Sequence, residues 1–420
     1  MTFSKNYTII IKTEYLNERG EAVAGIEGVK IVCPGLIPGE EAEVKILKST
    51  EKVAFCKIVN MITHHRDREV SKCQNEKCGV CELIFISYGR QLKIKMEMIS
   101  DIFGKSIGIE PSQRFGYRNK AVIPVGRKSG RIVLGTFRKN SHDISDWESP
   151  CPVLPEIFKR TVKLLRTALW DLSDELLPSQ LFMRGSGDFY QAGFIAKHSS
   201  DELKKILSEL SSKVPEVRST FISLSDNTNS VLVKDPEFIT GADHCVLKTY
   251  NGSYKVSPSA FFQANIEILD KILKKIETVI EDHQGAKVLD LYSGCGVLSN
   301  FPGIDRTCVE SNSSSFDHVK ADPGSKFITA DTSSVIAEIN EGGYKIIIAD
   351  PPRKGIDPQT LKAIDDSTAE IFIYLSCEPK TQKRDIDRLK NFQISEITAY
   401  DMFPNTIHIE SLAILKRKEQ

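Results

Sequence analysis

Cys377 follows the apolar run Ile371 to Leu375 in Ser376-Cys377-Glu378-Pro379. A thiol at a strand end facing a ligand pocket is a candidate nucleophile, provided its surroundings favour the thiolate. Arg353 and Lys354 are cations that would do so. The plainer reading of such a cysteine is a buried thiol. Two neighbours argue for chemistry: the glycine turn Asp290-Leu291-Tyr292-Ser293-Gly294-Cys295-Gly296 and the acidic corner Asp350-Pro351-Pro352. A glycine turn, an acid-proline corner and a thiol at three strand ends describe covalent catalysis beside a nucleotide-like cofactor.

Gly294 and Gly296 let backbone approach a ligand closely, because glycine has no side chain in the way. Glu310 ends the next strand, twenty residues after Asp290, where an acid can take both hydroxyls of a ribose. Asp331 ends a third short run and can meet an adenine edge. The third glycine of a pyrophosphate cradle is missing, with Ser299 nearest that position. S-adenosylmethionine therefore fits better than a dinucleotide.

The chain has ten cysteines. Cys33, Cys56, Cys245 and Cys308 stand alone among apolar or turn residues and read as buried structural thiols. Cys73-x4-Cys78-x2-Cys81 differs, and Cys151 lies seventy residues further on. Four thiolates able to converge suit an iron–sulfur cluster or zinc.

These groups need elements to hold them. Short β-rich runs, Tyr7 to Ile11, Gly28 to Val32, Ala42 to Leu47 and Phe55 to Val59, are separated by Gly/Pro turns. They predict a small OB-like barrel, which either binds single-stranded nucleic acid or serves only as a packing module. Residues 63–81 are polar, basic and cysteine-rich. Leu83 to Ile107 reads as helical, Leu181 to Ile195 as a hairpin, and Ser200 as the cap of a helix reaching about Leu210. Ile266, Leu269, Leu273, Ile276 and Ile280 recur at helical spacing. Strands then alternate with helices or loops: Lys287 to Leu291, Arg306 to Glu310, Lys345 to Asp350 and Ile371 to Ser376. That alternation predicts a doubly wound α/β sheet of Rossmann type.

The chain is 420 residues long, with 56 basic and 56 acidic side chains. It is no polycation, so nucleic-acid contacts must come from local patches. No apolar run would cross a bilayer and Met1 to Lys5 shows no signal-peptide pattern, so the expected location is the cytoplasm.

With these residues assembled, the chain resembles the RNA uracil-C5 (5-methyluridine) methyltransferase family, most closely its iron–sulfur-containing 23S ribosomal type with an N-terminal TRAM domain. The resemblance rests on the barrel, the cysteine cluster, Phe115 to Lys120, Ser257 to Asn265, the glycine turn, the D-P-P-R-x-G corner, S-C-x-P, and Met402 to Glu410. It implies three domains: a TRAM/OB-like RNA-binding barrel at 1–62, a central iron–sulfur-containing RNA-binding domain at 63–250, and an S-adenosylmethionine-dependent methyltransferase domain at 251–420. Part of 83–115 is a candidate to pack with the last.

The resemblance further implies that Gln263, Tyr292, Glu310, Asp331 and Asp350 line the S-adenosylmethionine site with Gly294 and Gly296. Cys377 would be the nucleophile and Glu410 the base. Cys73, Cys78, Cys81 and Cys151 would hold a 4Fe-4S cluster, with zinc as the alternative. The partner would be RNA, ribosomal before transfer RNA, presenting a flipped-out uracil to a monomeric enzyme. Carbons 5 and 6 of uracil are out of reach in a stacked helix.

Tyr117, Arg118, Asn119 and Lys120 are the RNA-contact candidates, in a basic stretch from Arg114 interleaved with aromatics. His64 to Arg68 and Arg127-Lys128 are further basic runs, better read as solvated surface. Some features depart from the family pattern. One residue fewer separates Cys73 from Cys78, Pro302-Gly303 interrupts the helix after the glycine turn, and Ser311 to Ser315 replaces a longer helix. Asn405 stands where histidine is common, and Ser293 where cysteine is. Two rivals follow: an inactive RNA-binding iron–sulfur protein, and an amino-group methyltransferase using the Asp350 corner. Neither has a use for both Cys377 and Glu410.

Overall fold

The computed structural model describes residues 2–75, 78–138, 141–149, 151–225, 233, 235–320 and 323–419. Three sheets and a hairpin follow one another along the chain.

The first sheet has six strands, spatially ordered Thr8–Lys12, Glu41–Ser49, Val53–Met61, Val29–Cys33, Ala22–Ile26, Tyr15–Leu16. One extended segment closes it. Thr13 N donates to Glu40 O at 3.0 Å, while the next amide, Glu14 N, donates to Val23 O at 2.8 Å. The two ends of the sheet thus share one stretch of chain, which curls the sheet into a barrel. Ile11, Ile31, Val44, Ile46 and Cys56 fill the interior. Strand Ala22–Ile26 escapes the sequence pattern, because three of its five residues are alanine or glycine.

The central sheet has seven strands, from Ile144–Asp146 at one edge through Arg131–Phe137, Lys120–Lys128, Gln180–Ser186, Phe189–Ala196 and Val217–Leu224 to Glu237–Gly241. Helices Glu156–Ala168 and Asp201–Lys213 bury their apolar stripes in its core. The second helix starts where Ser200 Oγ accepts from Leu203 N at 3.3 Å, which satisfies an otherwise orphaned amide. A hairpin, Cys245–Thr249 with Gly252–Val256, then leads into the last unit and packs in the same core as helix Ile266–Glu281.

The third sheet runs Ser325–Thr329, Asp305–Glu310, Lys287–Leu291, Ile346–Ala349, Ile371–Ser376, Glu410–Arg417, Phe392–Tyr400 and Ile109–Glu110. Its first five strands are parallel, and strand order reverses between Lys287–Leu291 and Ile346–Ala349. The sheet is mixed rather than wholly parallel. Glu410–Arg417 pairs antiparallel with both Ile371–Ser376 and Phe392–Tyr400. The sequence pattern misses this pair, because Glu410–Arg417 is buried on both faces over six residues and shows no alternation.

Ile109–Glu110 comes from far upstream yet extends this sheet beside Ala399–Tyr400. Helix Tyr88–Phe103, shorter than the expected Leu83 to Ile107, packs against the same end, sharing a core through Ile99 and Ile409. Between Leu291 and Asp305 the chain makes turns only, as Pro302-Gly303 suggested. Among the described residues no helix is long and apolar enough to cross a membrane.

Candidate active site

The parallel register aligns Leu291 with Val309 and Ala349, and Ala349 with Tyr374. Tyr292, Glu310, Asp350 and Cys377 therefore leave the same edge of the sheet. Strand order reverses there, which is where open α/β sheets hold their ligands.

Turning the chain sharply after Leu291 requires left-handed backbone at Tyr292 (φ 58°), Gly294 (φ 53°) and Gly296 (φ 70°). The non-glycine among them is braced. Its hydroxyl accepts from Thr332 Oγ1 at 2.9 Å, and burial pushes it up to about 12. A methyl group at Gly296 would stand 3.1 Å from Cys308 Sγ. Gly294 N donates to Glu310 Oε2 at 3.0 Å, and Glu310 Oε1 accepts from Asn312 N at 2.9 Å and Ser311 Oγ at 3.1 Å. Glu310 is thereby locked against the glycine turn. Beneath it, burial raises Asp290 to about 7 although Ser299 Oγ donates to it at 2.7 Å. Asp331 is exposed, and Ser333 N and Oγ hold its Oδ1 at 3.0 and 2.7 Å. It shapes the rim.

The loop Ser257 to Asn265 reaches this edge from outside the sheet. Two residues of the central unit hold it. Arg184, fully buried, donates through Nη1 to Ser257 O at 2.8 Å and through Nη2 to Ala260 O at 2.7 Å. Asn119 donates through Nδ2 to Gln263 O at 2.8 Å and through its amide to Ala264 O at 2.9 Å. Gln263 Nε2 then donates to Asp350 Oδ2 at 2.9 Å. Asp350 sits well above the usual carboxylate range, chiefly from burial.

Cys377 and Glu410 face each other through strand pairing. Ser376 is registered opposite Ser411 in the antiparallel pair, so the next pair outward is Cys377 with Glu410. Glu410 is 2% exposed, and its Oε1 has no hydrogen-bond partner. Burial, then Asp350, raises it well above its ordinary value, while Arg353 pulls the other way. The expected depressed thiol is corrected. Burial, Glu410 and Asp350 push Cys377 up to about 11, and Arg353 offsets only part of that.

The segment leading to Glu410 is fastened to helix Tyr88–Phe103. Lys95 Nζ donates to Asp401 Oδ1 at 2.5 Å and to Phe403 O at 3.2 Å; Tyr88 Oη donates to Asp401 Oδ2 at 2.8 Å. Asn405 N donates to Gln91 Oε1 at 2.9 Å, and Asn405 takes φ 70°, which asparagine tolerates better than most residues. Sequence reasoning missed Lys95 and Arg184. Each looks like an ordinary surface cation on an amphipathic element, and no local signal marks them.

The RNA-contact candidates and the basic runs around them make contacts within the protein. Asn119 is 4% exposed and spent on the Gln263 loop. Arg114 is consumed by Asn405 Oδ1 at 2.7 Å, Glu69 at 2.6 Å and two carbonyls of residues 84 and 86. Tyr117 Oη donates to Pro404 O at 3.3 Å, and the Arg118 guanidinium lies 6.0 Å from the Phe403 ring. Burial with Arg184 and Arg118 nearby lowers Lys120 to about 7. Arg68 forks onto buried Glu40, with both contacts at 2.6 Å, and Arg127 pairs with Asp174 at 2.7 Å.

Cys73, Cys78, Cys81 and Cys151 line one cavity of about 780 Å³ between the barrel and the central sheet. Each is a free, partly buried thiol. Thr136 Oγ1 donates to Cys78 Sγ at 3.0 Å. Burial and the neighbouring sulfurs raise Cys81, and burial raises Cys151 to about 11. Thiols destabilised as separate anions in one apolar cavity are those that a bound cation would relieve.

The third sheet has the fold of S-adenosylmethionine-dependent methyltransferases. Residues 336–418, which contain Cys377 and Glu410, match the family model "tRNA (Uracil-5-)-methyltransferase". An RNA methyltransferase of Oceanobacillus iheyensis is 28% identical, with 99% of this chain and 98% of that one covered. One of Clostridium tetani is 27% identical, with 98% and 96% covered. The crystal structure of Pyrococcus abyssi tRNA (uracil-54, C5)-methyltransferase with S-adenosyl-L-homocysteine superposes with a TM-score of 0.78 at 24% identity, over 97% of this chain and 99% of that one. It carries the fold alone. By these matches the chain is similar to RNA methyltransferases over nearly its whole length, and over residues 336–418 to tRNA (uracil-5-)-methyltransferases.

Proposed function

We propose that this enzyme, working in the cytoplasm, methylates carbon 5 of one uridine in RNA through a covalent bond between Cys377 Sγ and carbon 6. The observation that carries this is the cross-strand placement of Cys377 against Glu410, at the sheet edge that also presents Gln263, Glu310 and Asp350. S-adenosylmethionine, when bound, supplies the electrophilic methyl group. Tyr292, Gly294, Gly296 and Glu310 would hold its nucleoside, with Asp331 at the rim, and Gln263 and Asp350 would face its reacting end.

Carbon 5 of uracil is a poor nucleophile. The Cys377 thiolate adds to carbon 6, and the ring electrons it displaces make carbon 5 electron-rich. After methyl transfer carbon 5 bears both a methyl and a proton. Glu410 Oε1, which has no partner, takes that proton, the ring double bond re-forms, and Cys377 leaves. Burial that raises Glu410 makes it a stronger base once ionised.

The barrel reads as a TRAM module, and the four cysteines as ligands of a 4Fe-4S cluster. Among the described residues no three of these sulfurs lie within 4.8 Å of one another. Four thiolates around one zinc at about 2.3 Å would stand closer than that. The methyl transfer is polar throughout, so the cluster would order the RNA-facing part.

Ribosomal RNA is the first substrate class. The second reading, transfer RNA, is favoured by the substrate named for the family model and for the Pyrococcus abyssi enzyme. Mapping 5-methyluridine by mass spectrometry in RNA from a deletion strain decides between them. Loss from a transfer RNA alone would overturn the ribosomal reading. With the identified RNA, Cys377→Ala abolishes transfer and Glu410→Gln accumulates an adduct that survives denaturing electrophoresis. Turnover by Cys377→Ala would sink the covalent mechanism.

A further inference from the structure

Away from the pocket and the cysteines, three potential metal ligands meet where the central unit adjoins the methyltransferase sheet. Asp243 and His244 immediately follow strand Glu237–Gly241, and His318 lies just beyond the short turn Ser313–Ser315. His244 Nδ1 stands 2.8 Å and His318 Nε2 3.5 Å from the same oxygen, Asp243 Oδ1. One ligand atom from each of the three residues falls within 4.8 Å of the others. The imidazoles lie with centroids 4.7 Å apart, and Phe189 stacks on His244 at 6.4 Å and 13°. Both histidine side chains are largely covered, at 14% and 18% exposure, while Asp243 opens to solvent at 58%.

We propose that Asp243, His244 and His318 form a divalent-metal site of two imidazoles and one carboxylate, suited to zinc. Bonds of about 2.0–2.1 Å place neighbouring ligand atoms roughly 2.8–3.0 Å apart in octahedral geometry and roughly 3.3–3.4 Å apart in tetrahedral geometry. The two separations from Asp243 Oδ1, 2.8 and 3.5 Å, span those values, and all three ligand atoms lie within 4.8 Å of one another, so side-chain shifts on the order of an ångström would close them on an ion. Imidazole donors favour zinc over magnesium or calcium. Asp243 and His318 front a cavity of about 760 Å³ that Asp317, Ser257 and Ser314 also line, leaving room for a further carboxylate or water.

An ion here would tie the end of the central unit to the segment that follows Glu310. That segment matters because Asn312 N donates to Glu310 Oε1 at 2.9 Å and Asn312 Nδ2 to Ser259 O at 2.9 Å. Metal occupancy would therefore tighten S-adenosylmethionine binding, a consequence that rests on the pocket assignment above.

Cobalt(II) titration of the full chain tests the site. The expected result is one Co²⁺ with nitrogen–oxygen ligand-field bands, displaced by Zn²⁺ and weakened at least tenfold by His318→Gln and by His244→Gln. The solvent-open variant Asp243→Asn gives the same loss should either histidine variant fold poorly, as judged by circular dichroism. Equal affinity in all four proteins, or only the near-ultraviolet charge transfer of cobalt–thiolate bonds, would overturn the site. The titration needs no S-adenosylmethionine and so stands apart from the pocket assignment. A second titration follows S-adenosylmethionine affinity with and without Zn²⁺. It should rise in the wild type and not in His318→Gln; no rise in the wild type would overturn the coupling.

Discussion

Cys377 is held in the protonation state opposite to the one its chemistry uses, and burial raises Glu410 beside it. A thiol raised to about 11 is almost wholly protonated at neutral pH. The thiolate fraction grows about tenfold per pH unit below that value. Alkylation of Cys377 by iodoacetamide should therefore rise through pH 7 to 9 without a plateau. Arg353 is the cation that pulls the thiol down, so Arg353→Gln should slow alkylation several-fold at pH 8. A plateau below pH 8 would show that another group sets the thiol. The roles of Cys377 and Glu410 are visible in the residues around them. Their protonation is not, because desolvation depends on what the fold packs over them. At the same scale, Gly296→Ala should cost about 1–2 kcal/mol from its left-handed backbone alone, and weaken S-adenosylmethionine binding in calorimetry through displacement of the turn.

Two elements position the site from a distance, and each does so through a buried cation. Lys95 and Asp401 have fully buried side chains. Removing one partner of such a pair leaves a buried unpaired charge and typically costs about 3–5 kcal/mol, whereas replacing both by apolar groups can be neutral. Lys95→Met should destabilise the enzyme by that order in urea titration, and Lys95→Met with Asp401→Leu should regain most of it. An unchanged midpoint for the single variant would mean the pair contributes nothing. Arg184→Met should leave transfer chemistry possible yet weaken S-adenosylmethionine binding about tenfold, since the loop carrying Gln263 loses two carbonyl anchors. The helix from Tyr88 and the parallel strands were legible from periodicity. The antiparallel insertion of Glu410–Arg417 was not, because a continuous apolar run fits a buried helix or a strand equally well.

Across the whole molecule, one upstream stretch joins the parts. Residues 82 to 114 leave the cysteine cavity, pack at the end of the third sheet as helix and edge strand, and lead on to the central unit. If the cysteines hold a 4Fe-4S cluster, anaerobically purified protein should contain about four iron and four sulfide per chain. Cys78→Ala should lose that iron and RNA affinity while S-adenosylmethionine affinity stays within twofold. Colourless, zinc-loaded protein would overturn the cluster.

The sequence by itself determined which chemistry is available. Its glycine turn, its acids at strand ends, its S-C-x-P thiol and its spaced cysteines are local, and local patterns survive in one dimension. Only the tertiary structure decided which charges are spent internally. Arg68 and Arg127, read as solvated surface, and Arg114 and Asn119, read within an RNA-contact stretch, are anchors inside the protein, while Cys377 moved to a higher pKa than its cationic neighbours suggested. Burial and pairing come from residues far apart in the chain, such as Lys95 with Asp401, and no short window of sequence contains both.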